Sequence, residues 1–501
     1  MKLQQLFSYF DAKSISVEEL ADSNEPEVSG IFFNARQVIS GSVFVAIKGF
    51  KSDGHEFLTQ AVENGAAALV VENKSNIPAS FTGKVLEVVD SRVALDQLAA
   101  IFYGFPSEQL FCFGVTGTNG KTSITYFLEH ILNFHHKSCG VMGTVNHRVG
   151  NEVWTSDMTT PDPLTLQHRL RQFVDAGAIA VAMEVSSHAL DQKRAASVHF
   201  NTVIFTNLTL DHLDYHQSMD NYFGAKQRLF TEMLWETNKK PTFAVVNMDD
   251  SYGRKLKVAD TAVTWTFGQR ESDFQYKILK MNFSETEFEL KTPMEQYTVK
   301  VPFSGNHMIS NCVASMVAAI SAGVSLDQSI HALTSFYGVP GRLQKVMTAS
   351  LKTVFVDYAH TPDALENVLK SLHEVRSQSR KKSKVITVFG CGGDRDKIKR
   401  PLMAKIATEL SDFVFVTSDN PRTEDPMTII ADIQRGIEDD FKKFLIEPDR
   451  EKAIAAAIRL ATIDDVVLIA GKGHEDYQII GTEKIHFSDV EVAQKYLKDQ
   501  V

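Results

Sequence analysis

The sequence predicts an α/β protein of three domains, and three observations carry that expectation. The chain has 501 residues, enough for about three cores of ordinary size. Short apolar runs alternate with stretches of helical period along nearly its whole length, the βαβ rhythm of parallel sheets. One such run, Phe111 to Val115, passes into a turn bearing Gly117 and Gly120. A helix follows, with Ile124, Phe127, Leu128, Ile131 and Leu132 on one apolar face.

The first domain is expected over residues 1–105, as a small α/β unit. Ser42 to Ile47 and Ala67 to Val71 read as buried strands with an amphipathic helix from His55 to Gly65 between them. Val85 to Val89 is a further strand and Ala94 to Phe102 a helix, after which Pro106 marks a linker. The central domain, 106–337, has buried strands at Phe111–Val115, Ile179–Val185, Val203–Asn207 and Phe243–Asn247, separated by helices, which predicts a parallel sheet. Residues 262–302 alternate in short segments and predict an antiparallel insert, with a helix from Ser310 to Ala322 after it. The last domain, 338–501, begins at a hinge, Tyr337 to Gly341. Strands at Val354–Asp357, Val385–Phe389, Phe413–Val416 and Val466–Ile469 alternate with helices near 362–375, 399–410, 427–441 and 449–461. That pattern predicts a doubly wound, Rossmann-like fold. Arg380 to Lys384 reads as a solvated basic turn.

Composition excludes several classes. A net charge of −10 argues against nucleic acid as a partner, because phosphate backbones favour basic surfaces. Cys112, Cys139, Cys312 and Cys391 form no CxxC pair, which predicts reduced, buried thiols and a cytoplasmic setting. Met1 to Leu20 has no apolar core of a signal peptide, and no apolar run is long enough to span a membrane.

The turn from Thr116 to Thr122 (Thr-Gly-Thr-Asn-Gly-Lys-Thr) points to phosphate. Such a loop wraps backbone N–H groups around phosphate oxygens, Lys121 adds a full charge, and the Thr122 hydroxyl can hold Mg²⁺. The first glycine of the general pattern would fall at Val115, and glycine turns also arise for packing alone. Strand, helix and Lys-Thr together predict a bound nucleoside triphosphate. Ligands of open α/β sheets sit beyond the carboxyl ends of strands. There Glu184 and a histidine of the Asp211–His216 cluster could face the loop and hold a divalent metal, the alternative for each residue alone being polar surface. In the last domain four successive strand ends carry Gly, Asp, Arg or His. Capping and turns account for several of these, but Arg395, Arg422 and Glu475 read as a pocket for a zwitterionic or carboxylate ligand.

With these residues assembled, the chain closely resembles the Mur ligases, which build the peptidoglycan peptide, and among them the members that add the third residue. The resemblance covers all three domains and rests on GTNGKT, TTPDP, MEVSSHALDQKR, TNLTLDHLDYH, YFGAKQRLF, VDYAHTPDAL, GCGGDRDKIKRPLM, DNPRTEDP and GKGHEDYQ, in that order. It implies that Thr116, Gly117, Thr118, Asn119, Gly120, Lys121 and Thr122 hold ATP phosphates, with Asn306, Arg342 and Asp357 on the nucleotide. It implies Mg²⁺ on Thr122 and Glu184, and a second Mg²⁺ on His212 and a carbamylated Lys226. From the residues alone Lys226 reads as a surface lysine. Lys121, Lys226 and His212 would be the catalytic residues. A UDP-N-acetylmuramoyl dipeptide would meet Thr159, Thr160, Ser186, Gln192 and Arg194. Its uridine end would lie around Phe33 to Arg36, with Ala35, and around Phe50, Lys51 and Ser52.

Two departures stand out. A common Asp-Ser-Arg is here Asn34-Ala35-Arg36, without the hydroxyl, and Gln344 occupies a position that is often acidic. The resemblance further implies that Asp419, Asn420, Pro421 and Arg422 select meso-diaminopimelate. Arg395, Gly471 and Glu475 would complete that pocket, Glu475 taking the far ammonium. The implied reaction phosphorylates a substrate carboxylate and then lets an amine attack, with closure across Gly338–Gly341 assembling the site. A monomer is expected. The rivals are the lysine-adding ligase of the same step, a folylpolyglutamate synthetase-like ligase, and a nucleotide switch without ligase chemistry.

Overall fold

The computed structural model describes residues 1–8, 27–49, 52–378 and 383–498. Phe50, Lys51, residues 9–20 of the N-terminal stretch, and Arg380 to Lys382 of the basic run lie outside the described residues. Two compact units divide the chain: Met1–Gln275 with Cys312–Ala332, and Tyr276–Asn311 with Leu333–Val501.

The first unit opens with a parallel sheet of β1 (Ile31–Phe32), β2 (Ser42–Val45), β3 (Ala66–Val71) and β4 (Lys84–Glu87), in sequence order. Side chains alternate across a strand, so its continuous apolar runs feed two cores at once. Val43, Val45, Ala68 and Val70 pack with Leu95 and Leu98 of the helix Ser91–Phe102. Phe44, Leu69 and Val71 pack on the other face with Leu58 and Ala61 of the helix Leu58–Glu63. Asp90 caps the first of these helices, accepting from Arg92 N and Val93 N.

The same unit holds β5 (Phe111–Thr116), β6 (Cys139–Met142), β7 (Asn146–Val149), β8 (Glu152–Thr155), β9 (Ala180–Glu184), β10 (Thr202–Phe205), β11 (Thr242–Asn247) and β12 (Ala262–Gly268). They run in the order β12-β11-β10-β5-β9-β6-β7-β8. β5 lies between β10 and β9, parallel to both, with Val115 beside Glu184 and Thr116 beside Phe205. The carboxyl ends of these three strands are therefore level. The expectation of an antiparallel insert from 262 is corrected here. β12 pairs parallel with β11 from Thr242↔Ala262 to Asn247↔Phe267, and parallel with the start of β13 (Phe274–Met281). Alternating polarity reports a half-buried strand and carries no information on the direction of its neighbour.

In the second unit β14 (Thr286–Lys291) and β15 (Gln296–Val301) do pair antiparallel. Its main sheet comprises β16 (Gln344–Lys345), β17 (Thr353–Asp357), β18 (Val385–Phe389), β19 (Phe413–Val416), β20 (Phe444–Ile446) and β21 (Val466–Ala470), ordered β16-β17-β21-β18-β19-β20. All but β16 are parallel. Helices Pro362–Gln378, Lys399–Leu410 and Pro426–Gln434 cover one face, and Arg450–Leu460 with Asp489–Lys498 the other, the doubly wound arrangement expected. The helix expected to reach 441 stops at Gln434, and Gly436 follows at a position where a Cβ would be 1.9 Å from the Pro401 carbonyl oxygen. A hairpin of β22 (Tyr477–Ile480) and β23 (Glu483–His486) completes the unit's strands. All four cysteines are buried and free, and among the described residues no helix is long and apolar enough to cross a membrane.

Candidate active site

β5 ends at Thr116, and the helix Lys121–Phe134 begins four residues beyond Gly117. Gly117 and Gly120 adopt φ of 149° and 90°, and a Cβ on Gly117 would lie 1.8 Å from Thr206 Oγ1. The end of β10 shapes the loop. Thr118 N donates to Asn207 O, Asn119 N to Asn207 Oδ1, and Thr206 Oγ1 to Asn119 O. Lys121 Nζ turns back onto the loop, donating to Gly117 O at 2.9 Å and Thr118 O at 2.8 Å. Lys226, on the helix Met219–Arg228, is buried rather than on the surface and donates to the same Gly117 carbonyl at 2.8 Å. Burial first, then the charge of Lys121, holds its pKa well below the ordinary lysine value. Two lysine side chains and a helix N-terminus thus converge on one loop, with Lys121 and the helix N-terminus making it an anion site by its electrostatics.

Glu184 closes the same corner from β9. Its carboxylate is buried; Oε1 accepts from Thr122 Oγ1 at 3.0 Å and Thr144 N at 2.9 Å, and Oε2 from Thr144 Oγ1 at 3.0 Å. Gly143 keeps the space beside it, since a Cβ there would be 2.3 Å from Glu184 Oε1. Among the described residues no side-chain cation forms an ion pair with this carboxylate. A buried carboxylate surrounded only by neutral donors, next to a hydroxyl, is an oxygen set that fits Mg²⁺. Rings of His188, His212, His216, Tyr215 and Tyr222 pack together nearby, with centroids 4.9 Å apart for His188 and His212 and 5.1 Å for His216 and Tyr222. Burial pushes the His188 pKa down to about 4 and lowers those of His212 and His216, so all three tend to the neutral, metal-binding form. His216 Nε2 meets Ser187 Oγ at 2.9 Å. Its neighbourhood to His212 could have been suspected from the spacing in His212-Leu-Asp-Tyr-His216.

A cleft of about 590 Å³ opens in this unit, lined by Phe33, Asn34, Ala35, Arg36, Ser52, Arg92, Met158, Gln192 and Arg194. It gathers Phe33 to Arg36 and Ser52 of the residues expected around uridine, and Gln192 and Arg194 of those expected on the dipeptide; Phe50 and Lys51 lie outside the described residues. Asn34 Oδ1 accepts from Arg36 N at 3.2 Å and starts the turn that carries Arg36. From the cleft, hydrogen bonds run to the loop. Arg194 Nη1 donates to Thr160 O at 3.1 Å, Thr160 Oγ1 to Glu184 O at 2.9 Å, and the Glu184 carboxylate accepts from Thr122. Ser186 N donates to Thr160 Oγ1, and Thr159 Oγ1 meets Thr144 Oγ1 at 3.0 Å, so Thr159, Thr160 and Ser186 all attach to this run.

In the second unit the Arg342 guanidinium lies 5.1 Å from the centre of the Tyr358 ring. Asp357 accepts from Leu343 N and Ala359 N, and burial raises its pKa. The Asn306 amide oxygen accepts from Tyr276 OH at 3.4 Å. Gln344 Oε1 accepts from Gly341 N at 2.8 Å, closing the turn before β16. The loops after β18, β19 and β21 meet at one edge. Arg422 has φ of 52°, fixed by Arg422 N→Ile479 O and Gly481 N→Arg422 O, and its Nη1 donates to Gly393 O at 2.9 Å. A Cβ on Gly392 would touch Arg422 Nη1 at 3.0 Å and Arg395 Cγ at 3.7 Å, so both arginines flank that glycine. Gly471 takes φ of 118° with Asp419 beside it, and Asn420 Nδ2 donates to Glu475 Oε2 at 3.0 Å. Pro421 is buried in the same turn. The arrangement places carboxylates, an amide and two guanidinium groups within one set of loops.

Comparison with known proteins agrees with this geometry. The profile of the Mur ligase family catalytic domain matches residues 27–103, that of the Mur ligase middle domain 115–319, and that of the Mur ligase glutamate ligase domain 341–473. The UDP-N-acetylmuramoyl-L-alanyl-D-glutamate--2,6-diaminopimelate ligase of Geobacter sulfurreducens is 43% identical over 93% of this chain and 94% of its own. That of Geobacillus thermodenitrificans is 41% identical over 100% of both. A solved structure of a ligase of the same name aligns with a TM-score of 0.69 at 29% identity, covering 97% of this chain and 99% of the other. The MurF ligase of Thermotoga maritima, solved with ADP, shares the fold at a TM-score of 0.59 and 20% identity, over 94% and 98% of the chains. The chain belongs to the Mur ligase family. It is a ligase.

Proposed function

We propose that this ligase uses ATP to add meso-diaminopimelate to UDP-N-acetylmuramoyl-L-alanyl-D-glutamate, a step of peptidoglycan precursor synthesis. Relatives at 41 and 43% identity over nearly the full chain bear the name of that activity. The observation that carries the choice of amino acid is the Asp419–Arg422 turn, whose arginine stands beside Arg395 across Gly392. A guanidinium grips the second carboxylate of diaminopimelate with two parallel hydrogen bonds, and it repels the terminal ammonium of lysine.

Each part of the site then has a chemical task. The N–H groups of Gly117 to Thr122 and the ammonium of Lys121 hold the ATP phosphates and neutralise charge as the γ-phosphoryl group moves. Asn306, Arg342 and Asp357 are the nucleotide contacts of the second unit. Thr122 and Glu184 would hold one Mg²⁺, and His212 with a carbamylated Lys226 a second. When bound, the metal supplies positive charge to the phosphate oxygens. Thr159, Thr160, Ser186, Gln192 and Arg194 orient the dipeptide so that its D-glutamate side-chain carboxylate accepts the phosphoryl group, and Phe33, Ala35 and Ser52 line the uridine end. Glu475, oriented by Asn420, takes the far ammonium of diaminopimelate, while the other amine of diaminopimelate attacks the resulting acyl phosphate and phosphate leaves. The functional division we propose is 1–105, 106–337 and 338–501, acting as a cytoplasmic monomer.

Incubation with ATP, Mg²⁺, the UDP-dipeptide and either amino acid tests this directly. Phosphate release is expected with diaminopimelate. Release with lysine alone would overturn the assignment of the amino acid, and release without any amino acid would overturn ligation.

A further inference from the structure

Lys472, between Gly471 and Gly473, is a cation that sequence reasoning passed over. Its side chain is fully buried. It donates to Glu475 Oε2 and to Asn420 Oδ1, each at 3.1 Å, and stands 3.8 Å from Asp419 Oδ1. These bonds fix which way the Asn420 amide points. Its Oδ1 accepts from Lys472 and from Ile479 N at 3.0 Å, and its Nδ2 donates to Glu475 Oε2. Gly393 N in turn donates to the Asn420 carbonyl, which lies 3.4 Å from Arg422 Nη1. One ammonium therefore organises the amide, the glutamate and, through the backbone, the arginine loop.

The charge count gives this a chemical consequence. Around the buried ammonium stand two carboxylates, Asp419 and Glu475; Arg395 and Arg422 flank Gly392, and the neighbouring carboxylates of Asp394 and Glu424 are engaged by Thr423 and Arg400. Meso-diaminopimelate carries two carboxylates and two ammonium groups, whereas lysine lacks one carboxylate and is a net cation. A buried ammonium half-neutralising Glu475 leaves the pocket short of negative charge, which disfavours the cationic substrate. Without it Glu475 and Asp419 would present unbalanced charge to an incoming ammonium.

We propose that Lys472 is a positioning residue that sets the amino-acid preference of this pocket, by holding Asn420 and Glu475 in place and by withholding negative charge from a dibasic substrate. The proposal rests on the assignment of Asp419–Arg422, Gly471 and Glu475 to the amino-acid pocket.

The test is steady-state kinetics of the full chain and its Lys472→Met variant at saturating UDP-dipeptide, with diaminopimelate as substrate and L-lysine as substrate or competitor. The expected result is a fall of about tenfold in the preference for diaminopimelate over lysine, with KM for ATP unchanged. Asn420→Asp, which adds a carboxylate beside Lys472 without removing the buried cation, should move the same ratio the same way. It decides the matter if Lys472→Met does not fold. An unchanged ratio in a folded variant, or an equal loss toward both amino acids and ATP, overturns the proposal and leaves the ligase assignment standing. Wild-type protein that releases no phosphate with diaminopimelate overturns both.

Discussion

Lys121 and Lys226, carried by two different helices, donate to one and the same acceptor, the carbonyl of Gly117 in the phosphate loop. Two like charges held this close, one of them buried, repel each other, and the protein must either keep one neutral or modify it. A carbamylated Lys226 removes the conflict. Lys226→Ala should lower kcat by about 100-fold or more, and added acetate should restore part of it. Full activity of the variant without additive would exclude the carbamate role.

Gly117→Ala sets a methyl group against Thr206 Oγ1 at a φ of 149°. We expect a loss of about 1–3 kcal/mol in stability and a larger loss of ADP affinity. Urea titration and calorimetric titration with ADP measure the two separately.

Arg422→Lys keeps the charge and removes the paired donors. KM for diaminopimelate should rise about 10- to 100-fold, with KM for ATP unchanged, as expected when a charge-assisted pair of bonds becomes a point charge. Equal KM values before and after would show that the second carboxylate is held elsewhere.

Arg450 and Asp489 are both fully buried and bonded twice, at 2.7 Å each, and Arg450 also donates to the carbonyls of Ser418 and Ala470. Those carbonyls immediately precede Asp419 and Gly471. Asp489→Leu leaves the guanidinium without its counter-charge and should cost about 3–5 kcal/mol, read from the urea midpoint.

Asp96 on the helix Ser91–Phe102 is fully buried, with Oδ2 accepting from Ser197 N and Oδ1 without a partner among the described residues. Burial pushes its pKa up from 3.8 to about 7. Between those values the folded chain retains a proton that the unfolded chain has released, so stability falls as pH rises from about 4 to 7 and stays low above. Asp96→Asn should flatten this slope and raise the urea midpoint at pH 8 relative to wild type. An unchanged slope from pH 5 to 8 would show that Asp96 does not titrate there.

Periodicity and turn chemistry made much of the fold legible in the sequence. Phe111–Val115 and the apolar stripe from Ile124 to Leu132 could hardly be anything but strand and helix. The strand ends with Asp357, Asp419 and Gly471 were legible for the same reason. The features that escaped are those that depend on a neighbour. β12 looked antiparallel because alternation is blind to strand direction. Lys226 looked exposed because a lysine near the end of a polar helix is normally solvated, and only the loop above it reveals the burial. β6, β7 and β8 were missed, being four residues each and, in the case of Glu152–Thr155, mostly exposed. Lys472 went unweighed because one lysine between two glycines announces nothing about the three acceptors it meets.

The hydrogen-bonded run from Arg194 through Thr160 and Glu184 to Thr122 links the cleft with the phosphate loop by direct contact. If the cleft takes the sugar-linked peptide and the loop the nucleotide, as proposed, Thr160 and Glu184 stand against both sites. Whatever free energy the sugar-linked peptide gains from a nucleotide already in place, the nucleotide gains in equal measure from the peptide. Any such coupling would run through Thr160 and Glu184, the residues that cleft and loop share.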